Sequence, residues 1–373
     1  VRIAFSGLSE QTKRLRAEID ARIGRVIDHG QFIMGPEVFE LEGRLADYCG
    51  AREAITVANG TDALQIVLMA AGIGVGECVF VPAFTFTATA EVVLLSGARP
   101  VFVDVDPMSF NMDCDDLERQ IEIERRAGSS ARAILAVDLF GLPADWPRLN
   151  ELARRHALLL VADAAQSFGG AMNGKRVGAL APVTTTSFFP AKPLGCFGDG
   201  GAVLTDDPEL ASAVRSIRVH GQGATKYEIA RVGVNSRLDT IQAAVLLAKI
   251  DVLAEEIAWR GRIADTYTRR LDGLVETPVV TAGGVSAWAQ YTIKSHRRAE
   301  LQKVLQDEGI PTVVHYPKPM HLQPAYSAFN SRVLPVSESV SEMVLSLPMN
   351  AYASSEEVEY VCAAVRTALG RPS

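Results

Sequence analysis

The sequence predicts an α/β fold: a large unit built on a mostly parallel sheet, then a smaller C-terminal α+β unit. Three observations predict it. Apolar strand-like runs alternate with helical patterns through most of the chain. Those runs are apolar along their whole length instead of at every second position, as expected of strands covered on both faces. A long helical pattern over residues 238–270 then gives way to a short strand–helix–strand–helix series. The expected division is a large domain over residues 1–249 and a small domain over 250–373. A chain of 373 residues is long enough for two cores.

Taken in order, Leu15, Ile19, Ile23, Val26 and Ile27 recur at helical spacing, and His29-Gly30 ends that pattern. Pro36 opens a second helix, whose Val38, Phe39, Leu41 and Leu45 form an apolar stripe running to Gly50. A strand over 53–57 leads into Ala58-Asn-Gly60-Thr61-Asp62, and a helix follows from Ala63. Further strands are expected over 78–81, 101–105 and 131–137, and the apolar run 157–161 ends at Asp163. Helices over 88–95 and 146–155 separate them. After Gly201 come a strand, a helix over 209–219 and a polar stretch, 221–236, with little periodicity. A stretch of that length is usually functional or interface-forming. The C-terminal unit is expected to hold strands over 290–293 and 312–314 and helices over 299–308 and 356–368.

Composition removes several function classes. Hydrophobic residues make up 48% and charged residues 22%, ordinary for a soluble globular protein. A net charge of −7 argues against nucleic-acid binding as the main task, while local Arg, Lys and helix N-termini can still bind small anions. The five cysteines are scattered, odd in number and without CxxC spacing, which fits reduced thiols and neither disulfides nor a metal site. No apolar run approaches the ~20 residues of a membrane span. The opening Val1-Arg-Ile-Ala-Phe lacks the apolar core of a signal peptide, so the expected compartment is the cytoplasm, with no membrane partner.

Chemistry concentrates in Ser187-Phe-Phe-Pro-Ala-Lys192-Pro-Leu-Gly195-Cys-Phe-Gly198-Asp-Gly200-Gly201. Glycine and proline at that density favour a tight non-helical connection between strands. A lysine held there either is an ordinary surface residue or loses water, has its pKa lowered and can attack a carbonyl to form a Schiff base. Ligands of parallel sheets bind beyond the carboxyl ends of strands, and three more features sit there. Gly60-Thr61, where a strand gives way to a helix, is a phosphate cup or a helix cap. Phe86 would stack on a flat ring or fill core. Asp163 is a buried carboxylate able to hold a proton on a ring nitrogen, or again a cap. Ser187, five residues before Lys192, is a second phosphate ligand or a plain strand residue.

In this order and spacing the pieces form a recognisable set. Asn-Gly60-Thr61 before a helix, Asp163-Ala-Ala-Gln166-Ser and Ser187-Phe-x-x-x-Lys192-x-x-Gly-x-x-Gly-Asp-Gly-Gly resemble the nucleotide-sugar aminotransferases, PLP enzymes of fold type I with the aspartate aminotransferase-like architecture. The resemblance extends from Gly30-Gln-Phe-Ile-Met-Gly-Pro-Glu to Ser346-Leu-Pro-Met. With Gly233-Val-Asn-Ser-Arg-Leu-Asp-Thr and Val314-His-Tyr-Pro-Lys-Pro, it is similar to a subgroup acting on UDP-2-acetamido-2-deoxy-ribo-hexuluronic acid. That subgroup takes the amine from L-glutamate to make a 3-amino sugar acid for surface polysaccharide such as O-antigen.

The resemblance implies that pyridoxal 5'-phosphate is the cofactor, bonded to Lys192. It implies that Asp163 pairs with the ring nitrogen, Gln166 lies near the phenolic oxygen and Phe86 stacks on the ring. Gly60, Thr61 and Ser187 are implied as phosphate ligands. Asn235 is implied to reach the phosphate of a neighbouring subunit's cofactor, making a homodimer the smallest competent unit. Arg237 and His315, with Tyr316 and His220 behind them, are candidates for the substrate's carboxylate or sugar groups, because arginine forks suit carboxylates.

Two further positions bear on the assignment. Phe197 stands where the subgroup commonly has Tyr, and Lys192 is present where some related dehydratases carry histidine. The rival readings are an aminotransferase for another 3- or 4-keto dTDP- or UDP-sugar and a non-catalytic nucleotide-sugar binder on the same fold. An NAD-dependent sugar dehydrogenase would need a GxGxxG after an N-terminal strand, and none is present.

Overall fold

A computed structural model describes residues 3–225 and 227–370. The outer ends of the two expected domain ranges, residues 1–2 and 371–373, lie outside the described residues. The chain begins with α1 (Leu8–His29) and α2 (Pro36–Cys49). Each stops at a left-handed glycine, Gly30 (φ 71°) and Gly50 (φ 75°), a conformation that costs glycine no Cβ clash. β1 (Glu53–Val57), α3 (Gly60–Ala70), β2 (Glu77–Pro82), α4 (Ala88–Leu95) and β3 (Arg99–Val103) follow. Then come α5 (Cys114–Arg126), β4 (Ser130–Val137), α6 (Trp146–His156) and β5 (Leu159–Asp163). The short strands β6 (Ala171–Met172) and β7 (Lys175–Arg176) precede β8 (Val183–Ser187), β9 (Gly201–Thr205) and α7 (Pro208–Ile217).

The central sheet has seven strands in the order β1-β9-β8-β5-β4-β2-β3. The pairs β3–β2, β2–β4, β4–β5 and β5–β8 are parallel, while β9 runs antiparallel to both β8 and β1. This is the expected mostly parallel sheet. Gly201 opens β9 opposite both Val57 and Ser187, and Val137 lies opposite Asp163. The carboxyl ends of β1, β8, β5 and β4 therefore finish along one edge. Separate apolar clusters cover the two faces: Ile66, Val67, Val92 and Val214 on one side, and Trp146, Leu149, Leu117 and Ile121 among those on the other.

Past the sheet, α8 (Thr240–Ile250) and α9 (Leu253–Leu271) replace the single long helix expected from Leu238 onward. The break falls at Asp251-Val252, where α8 has finished burying Ala243, Leu246, Leu247 and Ile250 in the core and α9 turns a partly charged face to solvent. β10 (Gly284–Val285), β11 (Tyr291–Lys294), α10 (Arg298–Asp307), α11 (Pro335–Met343), β12 (Val344–Leu347) and α12 (Ser355–Ala368) complete the chain. β11 and β12 pair antiparallel and pack with α9, α10 and α12 around Tyr267, Tyr291, Leu301 and Val361. Ser354 and Glu357 form a reciprocal cap at the start of α12.

One further expectation needs correcting. The strand expected over 312–314 is one isolated bridge, Val313 to Ser346, because the two-stranded sheet is already complete and the chain turns away at Pro317. Helix α5 lies where the sequence predicts no element. Only Cys114, Leu117 and Ile121 give it an apolar stripe amid charged residues, and its start is fixed instead by Asp113, whose side chain accepts from the Asp115 and Asp116 N–H groups.

Candidate active site

The site gathers at the carboxyl edge of the sheet. Asp163 ends β5, is buried, and accepts hydrogen bonds from Thr89 Oγ1 at 2.8 Å and from the Ala165 N–H at 3.2 Å. Burial pushes its carboxyl above the usual range, and those two donors and the nearby Lys192 only partly oppose it. Lys192 is half-buried, and its amine has no hydrogen bond or ion pair among the described residues. Burial lowers its pKa against the attraction of Asp163. An amine held in that way is a better nucleophile at neutral pH than a solvated lysine.

The segment carrying Lys192 is shaped by its own backbone. Phe188 N–H donates to Gly200 O at 2.7 Å, Cys196 N–H to Phe188 O at 2.8 Å and Lys192 N–H to Phe189 O at 2.9 Å. At Gly195 an added Cβ would lie 2.4 Å from Pro190 O, so only glycine lets the two limbs close.

The β1–α3 turn sits directly on Ser187. A Cβ on Gly60 would fall 2.7 Å from Ser187 Cβ, and one on Gly201 would fall 2.5 Å from the Asn59 carbonyl. Asn59 accepts from the Asp62 N–H at 2.8 Å and so caps α3, a contact worth about 1 kcal/mol. The cap is therefore Asn59, which leaves the N–H groups of Gly60 and Thr61 at the first turn without an acceptor among the described residues. Those two N–H groups, the Thr61 hydroxyl and Ser187 Oγ make a glycine-lined cradle suited to a phosphate.

Gln166 is held from both sides: its Oε1 accepts from the Phe140 N–H at 2.6 Å and its Nε2 donates to Tyr316 Oη at 3.2 Å. Tyr316 is raised to about 12, mainly by burial, and keeps its proton. Phe86 is 55% exposed, with its ring 6.2 Å from that of Tyr316. It is not core, and more than half of it is accessible to a ligand. His315 Nδ1 lies 3.0 Å from Ser346 Oγ, and burial, then the charge of Lys192, depress the imidazole to about 4. It is neutral at pH 7 and offers a hydrogen bond, not a charge.

The remaining candidates lie on the polar stretch. Ser236 Oγ accepts from the Ala58 N–H at 3.1 Å, which lays the stretch beside the β1–α3 turn. Arg237 is half-buried, and its Nε is buried without a partner. Asn235 pairs through its backbone with Val219, and its side chain is exposed. His220, at φ 59°, donates its backbone N–H to Val234 O. No contact joins Arg237 to His315 or Tyr316 among the described residues.

Two residues went unread in the sequence. Thr89, on the first turn of α4, holds Asp163 across 74 residues of chain separation. Asp138, just beyond β4, takes hydrogen bonds from Ala144 N–H, Trp146 Nε1 and Ser167 Oγ, and burial raises it to about 7. Neither lies in a motif; only the sheet order brings them to Asp163.

These residues fit pyridoxal phosphate. An unpaired amine answers an aldehyde, a buried carboxylate answers a basic ring nitrogen, and a cradle that one Cβ would fill answers a phosphate. The chain matches the model of the DegT/DnrJ/EryC1/StrS aminotransferase family over residues 13–366. It is 47% identical over 364 residues to the UDP-2-acetamido-2-deoxy-3-oxo-D-glucuronate aminotransferase of Pseudomonas aeruginosa, covering 97% of this chain and 99% of that one. A solved DegT DnrJ EryC1 StrS aminotransferase from Brucella abortus has TM-score 0.98 and 49% identity over 99% of this chain and all of that one. NtdA from Bacillus subtilis, solved with bound cofactor PMP, has TM-score 0.91 and 30% identity over 99% of this chain and 86% of that one. The expected architecture is borne out. The chain belongs to the DegT/DnrJ/EryC1/StrS aminotransferase family.

Proposed function

We propose that the protein transfers an amino group from L-glutamate to C3 of UDP-2-acetamido-2-deoxy-ribo-hexuluronic acid, giving the 3-amino sugar acid of a surface-polysaccharide (O-antigen) precursor. The observation that carries the reading is an unpaired Lys192 amine within electrostatic reach of a buried Asp163 at the carboxyl edge of the sheet. The likeness to the P. aeruginosa aminotransferase, whose name states this 3-oxo sugar acid, supports the choice of substrate.

Bound pyridoxal phosphate supplies an electron sink conjugated to the reacting carbon. The chain's own residues do the rest. Lys192 would hold the cofactor through its amine, and that amine, when free, would carry a proton to and from the reacting substrate carbon. Asp163 keeps a proton on the ring nitrogen. Gln166 donates near the phenolic oxygen while Tyr316 holds its amide in place, and Phe86 covers one ring face. Gly60, Thr61 and Ser187 take the phosphate. Arg237 pairs with the carboxylate of donor or acceptor. Neutral His315 and the Tyr316 hydroxyl serve sugar hydroxyls or that carboxylate by hydrogen bonding.

The working unit in this reading is a cytoplasmic homodimer in which Asn235 of one subunit reaches the phosphate held by the other. Its exposed side chain, on a stretch with little regular structure of its own, supports that role. Residues 1–249 act as the cofactor-binding domain and 250–373 as the smaller domain.

The test loads the enzyme with the amino form of the cofactor and mixes it with the keto sugar acid or with its uncharged 6-hydroxymethyl analogue. Loss of one charge-assisted contact, about 1.5–3 kcal/mol, predicts roughly a 10- to 100-fold lower kcat/KM for the analogue. Equal rates on the two sugars would overturn the assignment of the sugar acid.

A further inference from the structure

The segment that carries Lys192 is gripped from one side by α8. Gln242 Oε1 accepts from the Phe197 N–H at 2.8 Å, and Lys249 Nζ donates to the Gly195 carbonyl at 2.7 Å. The two side chains are seven residues apart and so share one face of the helix. Lys249 is only 1% exposed, a state lysine rarely reaches without a carboxylate partner. It has no ion pair among the described residues; its ammonium instead lies 4.7 Å from the centre of the Phe197 ring. Glu256 on α9 and Cys196 on the gripped segment are the titratable groups acting on it, and burial outweighs both, drawing its pKa to about 8. A buried lysine spent on one backbone carbonyl and one ring face is a costly arrangement for packing alone.

The place it holds explains that arrangement. Residues 188–196 form an arc whose limbs are fastened together, by Cys196 N–H on Phe188 O and by the close approach of Gly195 to Pro190 O. Lys192 sits at the middle of the arc. Holding the Gly195 carbonyl fixes both limbs, because neither can shift without the other. The helix doing the holding is itself anchored: Thr240 Oγ1 accepts from the Gly35 N–H at 3.0 Å, Thr240 N–H donates to Phe32 O, and most of α8 is buried.

We propose that Lys249, with Gln242, is a positioning residue for Lys192: a buried clamp through which α8 fixes the arc that bears the reacting amine. The proposal rests on the reading of Lys192 as the cofactor-bonded lysine. Removing the clamp leaves the sheet and its carboxyl edge in place but lets the arc, and the amine on it, wander. A misplacement of about 1 Å at a reacting group costs on the order of 100-fold in rate.

The test compares wild type with Lys249→Met, which keeps volume but removes the donor, and with Lys249→Arg, which restores a donor. Amide hydrogen exchange is followed in the full cofactor-free chain, and kcat and KM are measured in the holoenzyme. Expected for Lys249→Met is at least about tenfold faster exchange confined to residues 189–197, with β8 and α8 unchanged. With it go a kcat lower by roughly 10- to 100-fold and a sugar KM within about twofold. Lys249→Arg should recover most of both. If Lys249→Met does not fold, Gln242→Ala is read by the same two measurements, with a smaller change in the same segment. Unchanged exchange in the arc, or a rise spread evenly over the whole chain, overturns the clamp. Borohydride trapping locates the cofactor bond separately. A bond to another lysine overturns the proposal through the function it rests on, whereas a bond to Lys192 with unchanged exchange overturns the clamp alone.

Discussion

Replacing Asp163 by asparagine separates the charge of this carboxylate from its place in the packing. The two side chains are nearly the same size, and Asp163 is 7% exposed, so the shape of the edge is kept. An asparagine oxygen can go on accepting from the Ala165 N–H. Its NH2 group then faces Thr89, whose hydroxyl turns to accept and passes its own hydrogen toward Thr85 Oγ1, 3.5 Å away. At most one neutral hydrogen bond is weakened, about 1 kcal/mol. The linkage sign works the other way. Because folding raises the pKa of Asp163, the ionised form is penalised in the fold, and stability falls as pH rises from the unfolded value through the folded one. A neutral amide removes that penalty, so the cofactor-free variant should melt no lower than wild type at pH 7. Catalysis should collapse. Removing one partner of a buried charge pair costs about 3–5 kcal/mol, which corresponds to roughly 10²–10⁴ in rate. The donor half-reaction with glutamate, followed by absorbance in a stopped-flow instrument, reads this directly. A variant that melts normally and reacts within tenfold of wild type would refute the role given to Asp163.

Four further outcomes follow from the same geometry. Lys192→Ala should retain the fold, lose turnover by at least about 10³-fold, and yield no lysine-linked cofactor after borohydride; wild-type turnover would dismiss the mechanism. Gly60→Ala drives a methyl to 2.7 Å from Ser187 Cβ, an overpacking cost of about 1–3 kcal/mol borne by the cradle. Cofactor affinity, measured by fluorescence titration, should fall roughly 10- to 100-fold. His315 is depressed from 6.5 to about 4, so the unfolded chain takes up a proton between those values that the folded chain refuses. Stability should therefore drop as pH falls through that window, by up to roughly 3 kcal/mol, and His315→Asn should remove the slope. Lys192 is the second cause of that depression, so NMR titration should find His315 higher in Lys192→Ala than in wild type.

Much of the sheet was legible because buried parallel strands announce themselves as continuous apolar runs. β1 starts and stops where expected, at Glu53 and Val57, and the helices end at Gly30 and Gly50, glycines that adopt the left-handed backbone there without a Cβ clash. The break between α8 and α9 was not legible. Helical periodicity runs through Asp251-Val252, and what ends α8 is the change from core to surface, a tertiary fact. In the same way, Lys192, Asp163 and Ser187 could be found because each sits in a short segment with its own glycine or strand-end signal. Thr89, Asp138, Gln242 and Lys249 carry no such signal. Thr89, Gln242 and Lys249 act across 45 to 74 residues of chain and Asp138 across 6 to 29, and the order of strands and the packing of α8 bring them to the site.

The two central groups also say something about each other that neither says alone. An aspartate and a lysine close enough to interact would ordinarily settle as an ion pair, with the acid pushed down and the amine pushed up. Here both move the opposite way. In each, burial is the largest cause and outweighs the attraction between them: Asp163 is raised and Lys192 lowered despite one another. Among the described residues neither group forms a hydrogen bond or ion pair with the other; Asp163 accepts from Thr89 and Ala165 instead. The edge of the sheet thus keeps an amine ready to react and a carboxylate still short of a cation. A single flat molecule with an aldehyde at one position and a basic nitrogen at another satisfies both demands at once. That pairing of unmet needs, beside the glycine-lined cradle at Gly60 and Ser187, is why the site reads as a seat for pyridoxal phosphate.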